Sequence, residues 1–288
     1  MSSKAVAIPL YIAKRWWPHI LVTGITVFLL LLVHRKVYDN FLNNNRYSID
    51  FSNYNIAANP NWLIDDEVKD SVNETMVCSI KASLFDNTLI PKLREHYAAN
   101  PWVKEIKTIE RRLPNDVKIN LELRRPYVAI VKTYKGKDTY YLVDKNSVRL
   151  PGEYKTAPAM PLSLPIVTGI RNNPPVAGEM WKDKGLHSAL DIVANLEANK
   201  LLEPLQLNYI DVANIEGKRN PRETEIVMWT KSKVRIEWGR NPATEKFGEL
   251  AMADKIKNIK LVLEVCPELN GIKYIKVQFD QPYIALEK

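Results

Sequence analysis

Apolar residues fall first into one unbroken block and only afterwards into alternating patterns. Between Arg15 and His34 no side chain is charged over 18 residues, and Ile20, Leu21 and Val22 with the run from Phe28 to Val33 make the block strongly apolar. At 1.5 Å per residue a helix of that length covers about 27 Å, enough to cross the hydrocarbon core of a bilayer. Trp16 and Trp17 suit the interface, where an indole keeps its N–H wet. His34, Arg35 and Lys36 follow the block in place of a small-residue cleavage site, which favours an uncleaved anchor over a signal peptide. A buried core helix is the competing reading, and the basic residues at both ends argue against it. Residues 16–33 are therefore expected to span a membrane. A tail of residues 1–15 is expected on the cytoplasmic side and an Asn-rich juxtamembrane spacer at 34–46. The positive charge is nearly balanced across the block, so orientation rests on the shortness of the tail.

Beyond the spacer the period changes. Tyr47, Ile49 and Phe51 alternate with polar residues and predict a strand. A short helix is expected over 65–73. A firmer one is expected at Leu89, Ile90, Leu93 and Tyr97, with Thr88 available as cap and Pro91 in the first turn, where its missing N–H is harmless. Residues 103–113 predict a strand, Pro114-Asn115-Asp116 a turn, and Val117, Ile119, Leu121 and Leu123 a strand with one buried face. Residues 47–126 thus read as β-α-α-β-β.

From 127 on, strands dominate, at 127–131, 140–143, 166–167, 210–212, 226–229 and 234–238. Two amphipathic helices interrupt them, one through Leu186, Leu190, Val193 and Leu196, the other through Met252, Ile256, Ile259 and Leu263. Asn241-Pro242 is a start signal for the second and Pro267 its stop. Residues 152–175 are proline-rich and predict a loop or edge region. Ile275, Val277 and Phe279 alternate with polar residues, and a turn at Gln281-Pro282 leads into a last strand. The expected fold class is α+β, with a transmembrane helix, a small domain at 47–126 and a mainly β domain with two packed helices at 127–288.

Composition narrows the function. The formal charge is +8, but +3 lies at or before Pro18 and +1 between His34 and Asp50, leaving +4 for 51–288. That is too dilute to neutralise a row of phosphates, which argues against nucleic acid. Cys78 and Cys266 lack metal-site spacing and the four histidines are scattered, so no metal or cofactor is expected. For the cysteines, a disulfide in an oxidising compartment and two small core residues both stand as readings. No GxSxG, Walker A, GxGxxG, HExxH or SxxK pattern occurs. Asp65-Asp66 sits at a helix start, where acids favour the dipole, and reads as capping rather than catalysis. No catalytic residue is assigned, and a non-enzymatic protein is expected.

Several short motifs carry a resemblance. Asn100-Pro101-Trp102-Val103, the Leu113-Pro114-Asn115-Asp116-Val117 turn and Arg125-Pro126-Tyr127-Val128-Ala129 resemble, at similar spacing, the PWV, WP-x-T-L and ER-x-PVA pattern of the FtsQ/DivIB family of bacterial division proteins. Leu142-Val143-Asp144, Leu164-Pro165-Ile166, Trp238-Gly239-Arg240 and 272–280 resemble later family positions in order. The chain departs from the pattern at Leu113 (usually Trp), Arg124 (usually Glu), Asn146-Ser147 (usually Gly) and before Lys231. The resemblance implies a POTRA domain at 47–126 and a mainly β domain at 127–288 on a single-pass inner-membrane protein, with the bulk periplasmic and the protein at the division site.

It also implies a scaffold for septum formation that binds FtsB/FtsL-like bitopic partners, with other divisome members meeting the POTRA-like domain. An exposed sheet edge offers unpaired backbone groups to an added strand. The last strand, 281–287, is the expected edge because the chain ends beside it. Carried over by position, the implied partner-binding residues are Phe279, Asp280, Tyr283, Ala285 and Arg222. Phe279 also continues the Ile275-Val277 face, so core packing stands beside partner contact for it. Tyr283 is expected to be exposed. An envelope adaptor or a secretion or assembly POTRA protein outside division is the alternative function.

Overall fold

The computed structural model describes residues 10–42, 44–51, 60–159, 164–242 and 249–286. The tail residues 1–9 and Glu287 lie outside them. The described chain is α+β: one apolar N-terminal helix, two small sheets and one large mixed sheet. Its contacts divide it into two compact units, one of residues 1–54, 78–95 and 108–119, the other of 55–77, 96–107 and 120–288.

In the first unit, α1 (Leu10–Leu42) is a continuous helix of 33 residues. Its segment Trp17–Asn40 has a mean hydropathy of 1.9 and none of it is buried, so it is long and apolar enough to cross a membrane. The hydroxyls of Thr23 and Thr26 donate to the carbonyls of His19 and Val22, both at 2.8 Å. Each polar group is thereby satisfied within the helix, as hydrocarbon requires. The helix runs on to Leu42, so most of the stretch expected as a spacer is helical, and a 3₁₀ turn follows at Asn45–Tyr47. Strand β1 (Ser48–Asp50) pairs antiparallel with β2 (Lys81–Ser83). β2 lies between two helices and was absent from the expected β-α-α-β-β order. Three residues hold too little alternation to show a period. Bonds from Leu84 N–H to the Tyr47 carbonyl (2.7 Å) and from Phe51 N–H to the Ile80 carbonyl (3.1 Å) fix it instead.

Helix α2 (Asp66–Met76) begins where the acid pair predicted: the Asp65 carboxylate accepts from Val68 N–H at 3.3 Å. Its other oxygen accepts from Ala159 N–H at 2.8 Å. Helix α3 (Leu89–Ala98) leads to β3 (Val103–Arg112) and β4 (Asp116–Leu123), which form a two-stranded sheet of their own. Asn100 donates to the Thr75 carbonyl at the end of α2 (2.7 Å) and accepts from Trp102 N–H (2.9 Å). The fully buried Trp102 donates its indole N–H to Ser71 at 3.2 Å. The Asn-Pro-Trp-Val segment is thus a clamp on α2.

The large sheet comprises β5 (Val128–Tyr134), β6 (Lys137–Val143), β7 (Ile166–Thr168), β8 (Leu207–Asp211), β9 (Ile226–Thr230), β10 (Arg235–Gly239), β11 (Ile272–Lys276) and β12 (Tyr283–Leu286), in the order β12-β11-β10-β9-β8-β7-β5-β6. The parallel neighbours β7–β8 and β10–β11 need crossovers, and α4 (Lys184–Ala198) and α6 (Met252–Val265) supply them. α6 begins at Met252, ten residues past the Asn241-Pro242 start signal, with Ala251 as a cap that makes no side-chain bond. A single turn, α5 (Leu202–Leu205), follows α4 and showed no periodic signal. Ile210, Met228, Ile236 and Ile275 are cross-strand neighbours in the buried core, together with Leu186 and Ile192 of α4 and Ile256 and Ile259 of α6. One face of the sheet therefore carries both helices. Cys78 and Cys266 are free thiols, not a disulfide.

Candidate functional site

The two margins of the large sheet differ. Outside β6, the segment 144–154 doubles back: Tyr140 and Tyr154 exchange backbone bonds at 2.8 and 3.0 Å, and Leu150 N–H reaches the Leu142 carbonyl at 2.8 Å. Asp144, 97% buried by exposure, shapes this return, accepting from the N–H groups of Asn146 and Val148 while Arg124 holds its second oxygen at 2.8 Å. At the other margin, β12 pairs with β11 alone among the described residues, through Tyr274↔Ala285, Ile275↔Ile284 and Lys276↔Tyr283. On an edge strand every second residue turns its N–H and C=O away from the neighbour, and those groups form a ready template for a further strand.

The structure distributes the expected contact residues over two adjoining places. Tyr283 and Ala285 lie on β12, and Tyr283 is 55% exposed as anticipated. Phe279 and Asp280 lie in the bend between β11 and β12. Of the two readings for Phe279, core packing fails: it is 49% exposed, because β11 ends at Lys276 and the inward alternation stops with Val277. Arg222 is far away in sequence, in the loop before β9, yet it lines the same open, polar cleft as Phe279. That cleft, about 1150 Å³, is also bounded by Glu237, Arg240, Glu249 and Lys276. Asp280 is not among its lining residues.

The edge is held stiffly. Glu237, mostly buried, receives both Arg235 (3.1 Å) and Lys276 (3.3 Å), and Thr224 donates to it at 3.2 Å. Tyr274 and Tyr283 lie with ring centroids 5.8 Å apart, and their hydrogen bond, followed by burial, raises the Tyr274 hydroxyl above the ordinary phenol range. At the end of β10, Gly239 adopts φ +103°, and a Cβ there would collide with the Glu249 carboxylate. That carboxylate accepts from Lys255 (2.6 Å) and from Arg240 N–H (2.7 Å). On the far wall Glu216 binds Lys184 and Lys218, which hold its carboxyl down at about 2. Each of these carboxylates is paired with at least one cation. Among the described residues no group of three or more His, Cys, Asp or Glu side chains is placed to hold a metal ion.

Tyr274, Arg235, Glu237 and Lys276 did not emerge as site residues from the sequence. Their only signal was polar alternation on two strands, and the parallel pairing of β10 with β11 that brings them together is set by α6. No protein-family model matches this chain, and no curated protein matches it.

Proposed function

We propose that the chain is a non-enzymatic, single-pass scaffold of the bacterial division machinery, of the FtsQ/DivIB kind, whose large sheet receives a strand from an FtsB/FtsL-like bitopic partner along β12. The observation that carries the proposal is the asymmetry of the margins: β6 is closed by the 144–154 return, whereas β12 has one neighbour among the described residues. Main-chain bonds along such an edge supply affinity, and side chains at alternate positions supply specificity. On this proposal Tyr283 and Ala285 contact the added strand, and Phe279, Asp280 and Arg222 border its entry. Residues 47–126 are the POTRA-like domain, offered to other divisome members, and 127–288 the partner-binding domain. α1 anchors the chain in the inner membrane with the tail cytoplasmic and the bulk periplasmic.

Deleting 281–288 from the full chain in membranes is expected to abolish capture of the FtsB-like partner while leaving anchoring intact. Unchanged capture overturns the assignment. A fluorescent fusion concentrating at mid-cell is the expected localisation, and uniform envelope labelling would instead support an adaptor outside division.

A further inference from the structure

The exit of α1 and the turn of the β3–β4 hairpin belong to one compact unit, which gathers 1–54, 78–95 and 108–119. The loop 84–88 joins them. Leu84 N–H donates to the Tyr47 carbonyl at 2.7 Å, and the Phe85 and Tyr47 rings meet edge to face with centroids 5.0 Å apart. The Asn87 side-chain amide donates to the Tyr38 hydroxyl on α1 at 3.5 Å. One residue earlier, the Asp86 carbonyl accepts from the Arg111 guanidinium at 2.7 Å. The Asp86 carboxylate accepts from Thr88 N–H at 2.8 Å, which holds the loop in shape. One short loop thus touches the helix on one side and the last residues of β3 on the other. Arg112, Leu113, Pro114 and Asn115 continue into the turn and are all exposed, Leu113 to 72%.

The helix sets the depth of that loop. The apolar block ends at Val33, and Tyr38 follows five residues later, roughly 7.5 Å along the axis. The headgroup zone on each side of the hydrocarbon core is roughly 5–7.5 Å deep. Where α1 spans a bilayer, Tyr38 therefore stands at the outer limit of the headgroups, and Arg111 lies within one side chain's reach of a loop at that level. Charge fits this placement. Over 34–54, 78–95 and 108–119 nine basic residues face six acidic ones. Lys81 is taken up by Asp50 at 2.7 Å, but Arg35, Lys36 and Arg112 are exposed and enter no ion pair among the described residues. An excess of three charges is too small for a nucleic-acid backbone, yet each Lys or Arg near an anionic lipid surface adds its own share of attraction. Leu113, between an arginine and a proline, suits the same surface: its apolar side chain can reach towards the acyl boundary while the guanidinium groups hold phosphates. We propose that the β3–β4 turn, through Arg111, Arg112 and Leu113, docks with Arg35 and Lys36 of α1 on the anionic phospholipid headgroups of the bilayer that α1 spans. The proposal rests on the reading of α1 as a membrane anchor and needs no division role. A second point of attachment stops the first unit from swivelling about α1.

The test uses the full chain, with Cys78→Ala and Cys266→Ala, carrying a nitroxide at Leu113→Cys or, separately, at Leu30→Cys. It is reconstituted in vesicles of phosphatidylcholine alone or with phosphatidylglycerol at about one lipid in three. Collision with a water-soluble nickel chelate and with oxygen reports the depth of each label. The label at 113 is expected to be shielded from nickel in the anionic vesicles, and to be reached freely in phosphatidylcholine and in neutral detergent micelles. Arg112→Gln is expected to cut the ratio of docked to free turn about fivefold, as loss of one basic side chain near an anionic surface does, and added salt should act in the same direction. Arg112→Lys should keep most of the shielding, which separates charge from fold. Equal shielding in phosphatidylcholine or in micelles overturns the proposal, because the turn is then covered by something other than anionic headgroups. So does shielding that is unchanged in Arg112→Gln, or that disappears when the protein is diluted in lipid, which would assign the turn to a second copy. The label at 30 keeps the two readings apart. If it lies in hydrocarbon, open to oxygen and closed to nickel, while 113 stays open to nickel in anionic vesicles, docking alone fails. If nickel reaches it in both vesicles, α1 does not span and both readings fall.

Discussion

The side-chain amide of Asn258, on α6, donates to the backbone carbonyl of Phe279 at 2.8 Å, and to that of Val277 at 3.0 Å. Asn258 is 4% exposed, so these bonds form where water does not compete. Through them the helix that covers the core also fixes the point at which the chain leaves β11 and turns into β12. The position of the sheet margin is thus set from underneath, by a residue that faces no partner.

Asn258→Ala is expected to leave buried carbonyls without a donor and to cost about 1–3 kcal/mol. The loss should be local. Hydrogen exchange read by mass spectrometry is expected to accelerate in 277–286 more than in β5 or β8, and partner capture to fall with it. Uniform acceleration over the large sheet would mean that Asn258 merely stabilises the core.

A second support is the Lys255–Glu249 pair, with Nζ and Oε1 2.6 Å apart, the ammonium wholly buried and 5.3 Å from the Trp238 ring centroid. Removing one partner of a buried pair leaves the other charge uncompensated, at a cost of roughly 3–5 kcal/mol. Glu249→Leu is expected to show that loss in denaturant unfolding. Lys255→Met should cost less, because it removes the buried charge itself and leaves Glu249 facing Arg240, and adding it to Glu249→Leu should restore stability. A double variant no more stable than Glu249→Leu alone would deny that burial of the charge is the cause.

The alternating residues of 116–123, the amphipathic faces of α4 and α6, the Asp65 cap and the apolar block of α1 were all legible, because each is a local pattern with its own period or terminus signal. What escaped has a physical reason in each case. β2 is held by backbone bonds to a strand some thirty residues earlier, and the true start of α6 has no capping side chain to announce it. Phe279 sat on an alternation that stopped short of it: β11 ends at Lys276, and Val277 is the last residue to face inward. Of the candidate site, Tyr283 and Ala285 came from the resemblance and lie on the strand the alternation predicted, whereas the Glu237 frame exists only through a parallel pairing that no local pattern encodes.

If β12 acts through its unpaired margin, charge placed there should block it without unfolding the sheet. Lysine on an edge strand is a common guard against strand addition. Ala285→Lys and Leu286→Lys alter half-buried and exposed positions and are expected to change stability by no more than about 0.5 kcal/mol. Partner capture in a pull-down should nevertheless be lost. Retained capture with both lysines present would place the partner elsewhere.

The cleft wall offers a prediction in pH. Lys184 and then Lys218 hold the Glu216 carboxyl at about 2, below its ordinary value of 4.5. Between these values the unfolded chain binds the proton that the folded chain refuses, so stability from this group rises with pH across that window. It is fully present above about pH 4.5 and is lost as pH falls towards 2. Because the group is exposed, the contribution is screened and should shrink in high salt. Glu216→Gln is therefore expected to melt below the unsubstituted chain at pH 7, with the gap closing as the solution is acidified and narrowing at any pH when salt is added. Thermal melts of both proteins across that range measure it directly. A gap that is constant with pH would mean that Glu216 contributes only the packing and neutral hydrogen bonds that glutamine keeps or loses regardless of charge.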